Sequence, residues 1–205
     1  MIKLKHFAYL ISLMIILVSC KNDTKENQTE NDNKIENSNI VTNKSSKKKE
    51  IVAIDNGDNL IFPRLIFNED TKLFASALSS SSLTKVFSEP EKQYVVFAPS
   101  NDAFKELSNE KMSALFSDRE LLAKKMKAHI IEDKLDYSEL SNKINANGGV
   151  YSLKSISGSK LKASLNGSEI IIKDNNGNEA KVIGNKSITT ENGVIFIIDK
   201  VLTVN

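Results

Sequence analysis

Cysteine and histidine are nearly missing from this chain of 205 residues, which has one Cys and two His. A disulfide needs two thiols and a structural zinc site takes about four Cys or His ligands, so neither can be assembled within the chain. An excess of one charge sign is lacking too. Lys plus Arg total 28 against 26 Asp plus Glu, and a formal net charge of +2 gives no driving force for sequence-independent binding to nucleic acid. Nor is there an apolar run of the roughly twenty residues that a membrane-spanning helix takes.

What the N-terminus does have is Lys3 and Lys5, an apolar run from Phe7 to Val18, and then Ser19-Cys20. A basic head, a short greasy middle and a small residue before the cut form the layout of a secretory signal over residues 1–20. Leu17-Val18-Ser19-Cys20 resembles the lipobox of bacterial lipoproteins, in which the Cys is diacylated on sulfur and becomes the first mature residue. That resemblance implies a membrane partner through acylated Cys20, because two or three acyl chains at roughly 0.8 kcal/mol per buried methylene anchor a protein firmly. The bland alternative makes Cys20 part of a discarded peptide. With Cys20 acylated and His6 removed, His129 is the last imidazole and no thiol is free. Cysteine nucleophiles, paired-His metal sites and Cys/His catalysis are then excluded, and neither a cofactor nor a metal is expected.

Residues 21–54 carry few aliphatic residues, and from Lys21 to Glu50 seven Lys nearly cancel six acids. Such a segment buries too little apolar surface to offset the entropy of ordering it, so a disordered polar tether is expected, with a reach of roughly 30 Å. Lys47-Lys48-Lys49 falls short of the lysine clusters that read as lipid binding. Lys21-Asn22-Asp23 resembles outer-surface export signals of some bacterial lipoproteins.

Periodic hydrophobicity begins near Asp55 and runs to Asn205. Leu73, Phe74, Ala77 and Leu78 have helical spacing, closed by the Ser79 to Ser82 run, whose serines read as loop rather than nucleophile. Tyr94-Val95-Val96-Phe97 is a strand stopped by Pro99, and Ser100 offers an N-cap to a helix carrying Phe104 and Leu107. Asn101 and Asp102 are placed to satisfy free amides at that helix start. Ser117-Asp118-Arg119-Glu120 fits a capping box with Ser117 as the cap, opening a helix that ends near His129. Asn147-Gly148, Asn166-Gly167, Asn176-Gly177 and Asn192-Gly193 read as turns between antiparallel strands at 161–165, 169–173 and 194–198. The last strand is apolar on both faces and so belongs inside the core. Helices first and strands afterwards argue for one α+β domain over residues 55–205.

Tyr94 to Phe104, containing Phe97-Ala98-Pro99-Ser100-Asn101-Asp102-Ala103-Phe104, resembles the first signature of the fasciclin domain. Asn192-Gly193-Val194-Ile195-Phe196 through Asp199 and Leu202 is similar to the second, and Leu121 to Leu135 to the central helix-to-strand segment. The resemblance implies a fasciclin-like fold, with N-terminal helices packed on a C-terminal antiparallel sheet wedge. It also implies an extracellular adhesion module that binds matrix proteins or glycans, with weak self-association as a further expectation. Phe97, Pro99, Asn101, Phe104, Asn192, Gly193 and Asp199 are its motif residues, expected to serve folding. Two positions depart from the family: Ala128 stands where a Tyr precedes the central His, and Phe196 where a second His lies.

His129 is a candidate for a binding surface or, more blandly, a half-buried ring holding helix to sheet. Ser187 and Ile188 lie in Asn185-Lys186-Ser187-Ile188, where some animal members carry an Asp implicated in integrin contact; Ser187 removes that carboxylate. An enzyme is not expected, since Glu106, Glu110, Asp133 and Asp136 read as solvated faces rather than an acid/base pair. Residues 51–205 hold 19 basic and 20 acidic side chains, so a purely ionic partner is not indicated. The leading expectation is a lipid-anchored binding module on the cell surface or outer membrane. The alternative is a periplasm-facing envelope lipoprotein that holds a small ligand or tunes a membrane partner.

Overall fold

The computed structural model describes residues 59–89 and 91–203. The signal-like segment, Cys20 and the tether lie outside them. Helices α1 (Ile61–Phe67) and α2 (Lys72–Ser80) and a 3-10 turn at Leu83–Ser88 precede strand β1 (Tyr94–Pro99). Helices α3 (Asn101–Lys105), α4 (Asn109–Ser117) and α5 (Arg119–Lys127) follow, then β2 (Ile130–Glu132) and α6 (Tyr137–Ala146). The remainder is β3 (Val150–Lys154), β4 (Lys160–Asn166), β5 (Glu169–Lys173), β6 (Glu179–Lys181), β7 (Ile188–Thr190) and β8 (Gly193–Ile198).

These strands form two four-stranded sheets, ordered β2-β1-β8-β7 and β3-β4-β5-β6. The second sheet is antiparallel throughout. In the first, β8 runs parallel to β1, with Val96 beside Ile195 and Phe97 beside Phe196. The expectation of antiparallel strands therefore holds for every pairing but this one. A parallel neighbour needs a long crossover, and the whole chain between β1 and β8 supplies it.

Alternate residues of the two central strands look into two different cores. Tyr94, Val96, Ala98 and Ile195 pack with Phe74, Leu78, Phe104, Leu122 and Met126 of the helices. Val95, Phe97, Val194, Phe196 and Ile198 pack with Leu140, Ile144, Leu161, Ile170 and Ile172 of α6 and the second sheet. This is why the last strand is apolar on both faces: the first sheet is the middle layer of three. Phe97 and Phe196 stack side by side on the face toward the second sheet, with centroids 5.5 Å apart at 27°.

Local capping departs from expectation at three places. Asp118, not Ser117, caps α5, its carboxylate accepting the Glu120 and Leu121 amides at 2.9 and 3.0 Å. Ser117 instead donates back to the Ala114 carbonyl; a carboxylate is the stronger acceptor at a helix N-terminus, where the dipole favours negative charge. Helix α6 is an element the strand-rich reading of that half passed over. Its signal is the capping box of Asp136 and Glu139, which accept each other's amides at 2.8 Å. Asn147-Gly148 accordingly ends a helix, the Gly149 amide reaching back to the Ile144 carbonyl, rather than joining two strands.

Gly193 opens β8 at φ 148°, and a Cβ there would run into the Tyr94 carbonyl oxygen and lie 2.8 Å from the Tyr94 nitrogen. Gly193→Ala is expected to lower unfolding stability by about 3 kcal/mol or more, because backbone has nowhere to yield. Gly167→Ala, at a hairpin glycine with open space around it, should cost only about 1 kcal/mol. Equal urea midpoints for the two variants would contradict the close approach of β1 and β8.

Candidate functional site

His129 lies just after α5 and is 0% exposed, so the ring is wholly rather than half buried. Its Nε2 accepts the Leu202 amide at 3.0 Å, which fixes the proton on Nδ1 and lets that nitrogen donate to the Lys125 carbonyl at 2.9 Å. Phe74 packs against the ring at 5.6 Å. The imidazole joins α5 to the segment after β8 and presents no atom to solvent. Burial drives its pKa down to about 4, with the Lys125 carbonyl and the Asp174 charge pulling the other way.

The next residue of that segment is held from the second sheet. Asp174, 6% exposed, accepts the Thr203 amide at 2.9 Å and the Thr203 hydroxyl at 3.1 Å. Its carboxylate also takes the amides of Asn176 and Asn178 and the Asn178 side chain. Burial alone would raise the Asp174 pKa, but these donors outweigh it and hold the carboxyl below its ordinary value. Sequence reading missed Asp174; an Asp opening a turn that holds a Gly is common, and only the register of β5 and β6 turns it inward.

The two signature motifs tie elements together. Ser100 caps α3 by accepting the Ala103 amide at 3.0 Å. Asn101 serves not its own helix but α2, accepting the Leu73 amide at 2.9 Å and donating to the Glu69 carbonyl at 2.6 Å. Asp102 pairs with Lys105 in solvent at 2.7 Å. Asn192 accepts the Ile61 amide at 2.9 Å, which α1 leaves without a side-chain cap of its own, and donates to the Phe87 carbonyl at 3.0 Å. Asp199 accepts the Lys181 amide at 2.7 Å and returns its own amide to the Lys181 carbonyl, joining β6 to the end of β8. Phe97 and Phe104 are 0% exposed, and Pro99 closes β1 beside Ile198.

Ser187 and Ile188 sit elsewhere, at the edge strand β7. Both are half-buried. Ile188 lines a shallow cleft of about 220 Å³ with Arg64, Phe67 and Asn68, and Phe67 is 70% exposed. The structure therefore does not bring His129 together with Ser187 and Ile188. The carboxylates singled out for acid/base chemistry are also separate: Asp136 caps α6, Asp133 accepts the Lys134 amide, and Glu106 and Glu110 are exposed. Among the described residues no three His, Cys, Asp or Glu side chains cluster as metal ligands, and no helix is long and apolar enough to cross a membrane.

Two packed sheets are thus backed by helices, with an Asn at each signature fastening a helix start. The fasciclin-domain family model matches residues 69–204. The chain belongs to the fasciclin family. A fasciclin-domain pair solved from the insect cell adhesion molecule fasciclin I superimposes with a TM-score of 0.61 at 12% identity, covering 71% of this chain and 51% of that one, which shows the fold. The Sus scrofa transforming growth factor-beta-induced protein ig-h3 is 28% identical over 140 residues, 68% of this chain. Homo sapiens periostin is 28% identical over 134 residues, 65% of this chain. The matches span 19% and 14% of those two proteins, so this chain corresponds to one part of each.

The buried fasciclin histidine makes stability depend on pH. The unfolded imidazole, with an ordinary value of 6.5, takes up a proton that the folded one refuses until about pH 4. Its contribution is whole above pH 6.5 and is lost as pH falls toward 4, by about 3 kcal/mol. His129→Phe should be less stable than wild type at pH 7 by about 2 kcal/mol for the lost hydrogen bonds, yet lose less on acidification. Urea unfolding of both at pH 7, 5.5 and 4.5 checks this, the carboxylates other than the coupled Asp174 cancelling in the difference; curves that stay parallel would contradict it.

Proposed function

We propose that the protein is a non-enzymatic, lipid-anchored adhesion module, holding one fasciclin domain away from a bacterial membrane on a polar tether. The observation that carries this is fasciclin-family membership in a chain whose Leu17-Val18-Ser19-Cys20 resembles a lipobox. The protein whose fold it shares at TM-score 0.61 is a cell adhesion molecule. Under this proposal Cys20 is acylated and residues 21–54 act as the spacer. The ligand is an extracellular protein or glycan, met by the surface rather than by an interior pocket.

Within the domain the proposal divides the residues. His129, Asn101, Asn192 and Asp199 hold elements in place. Ile188, with the exposed Phe67 and Arg64 beside it, is the contact candidate that remains accessible. An aromatic ring that is 70% exposed beside a guanidinium resembles the residue types enriched at protein contacts.

Two measurements test the proposal together. Cys20→Ser should move the protein from the membrane fraction to the soluble or secreted fraction without changing the unfolding midpoint of the domain. A general protease added to intact cells should remove the domain, with lysed cells as the control for susceptibility. Survival until lysis would contradict surface display and favour a periplasm-facing partner protein on the same anchor.

A further inference from the structure

The near-zero charge of residues 51–205 conceals a segregation that strand register creates. In the second sheet Leu153, Leu161, Ala163, Ile170, Ile172 and Ala180 point into the core. The alternate residues face outward, Ile171 buried among them at 8% exposure, and five of them are lysines. Lys154 lies directly opposite Lys160, and Lys162 directly opposite Lys173. Facing side chains on adjacent strands sit about 5 Å apart at Cβ, and like charges so placed oppose folding. Residues 160 and 162 are separated by about 7 Å along β4.

Carboxylates neutralise only the far side of this face. Lys173 pairs with Glu179 at 3.0 Å and Lys181 with Glu169 at 3.5 Å. Among the described residues Lys154, Lys160 and Lys162 pair with no carboxylate. They stand exposed with Ser152 and Ser164 beside them. A protein that tolerates two facing lysine pairs on a solvent sheet, when either position would accept Thr or Glu, keeps an unfavourable arrangement that an anionic ligand would turn favourable.

From this charge complementarity we propose that the outer face of the second sheet, centred on Lys154, Lys160 and Lys162, binds an acidic polysaccharide. The assignment deepens the adhesion function and rests on it for the setting in which an extracellular polymer is met. A linear polymer with repeated carboxylates or sulfates matches a flat row of ammonium groups interleaved with hydroxyls. Three unpaired lysines fall short of the four or more that read as lipid binding, and Val150 is the one exposed apolar side chain on the face, too little to enter a bilayer. Absence of an aromatic on it also removes the stacking that single-stranded nucleic acid uses.

The test uses the full chain purified in detergent, with polygalacturonate as probe and neutral dextran as control. Binding to polygalacturonate but not dextran, weakening by about tenfold or more between 50 and 500 mM salt, is expected. Lys160→Ser with Lys162→Ser should reduce binding by about tenfold and leave the melting temperature unchanged or higher, since it removes repulsion; Lys105→Ser with Lys111→Ser should bind as wild type does. No binding at 50 mM salt, or equal binding by the two double variants, would overturn the assignment. Tighter binding to phosphatidylglycerol-doped micelles than to polygalacturonate, lost in the Lys160/Lys162 variant, would overturn it in favour of a lipid surface. Cells bearing the Lys160/Lys162 variant that adhere like wild type would sink the lysine face alone. Protection from protease on intact cells would instead sink surface display, whatever the polymer result.

Discussion

The parallel pairing of β1 with β8 is the constraint from which the rest of the structure follows. It joins residues about a hundred positions apart, and both strands must be apolar on both sides because a core lies against each face of their sheet. Gly193 permits it, since only a residue without Cβ lets the start of β8 pass the Tyr94 backbone. The two signature motifs of the family are the two halves of this pairing. Beyond their strands each carries an Asn that spends its side chain on another element: Asn101 on the start of α2 and Asn192 on the start of α1.

A second layer of fastening closes the domain behind β8. His129 holds Leu202 from the helical side, and Asp174 holds Thr203 from the second sheet. One group must be neutral and the other charged for the arrangement to persist, and burial and hydrogen bonding drive each pKa in the needed direction. The segment after the last strand thereby belongs to both cores. These polar side chains are thus consumed by the fold.

How much was legible in the sequence depended on whether a residue's role is local. Tyr94 to Phe97 as a strand, Ser100 as a cap, Asn166-Gly167 as a hairpin and the two-faced apolar strand at 194–198 follow from rules that reach a few residues. Ser117 was a reasonable cap by residue type, yet the adjacent Asp118 competes better for the same amides. Helix α6 announced itself through Asp136 and Glu139, but with only Leu140 and Ile144 buried its apolar stripe is thin beside the strands around it. The inward turn of Asp174 and the facing of Lys154 with Lys160 are properties of register, and register is settled by strands that no local pattern pairs.

The same distinction bears on function. Net charge summed along the sequence argued against an ionic partner, whereas the pleat sorts core residues to one side of the second sheet and lysines to the other. Distribution over a surface carries what the order of residues does not.

The central claim, that β1 and β8 are the last structure to come apart, is tested most directly by native-state hydrogen exchange on the intact chain. Amides hydrogen-bonded at this pairing, such as Tyr94 to the Asn192 carbonyl and Ser100 to the Ile198 carbonyl, should exchange only through global unfolding, with the same free energy as denaturant unfolding. The amides of edge strand β3 should exchange sooner. If β4 and β5 outlast β1 and β8, which open in a cheaper local step, the second sheet is the true foundation and the pairing is not.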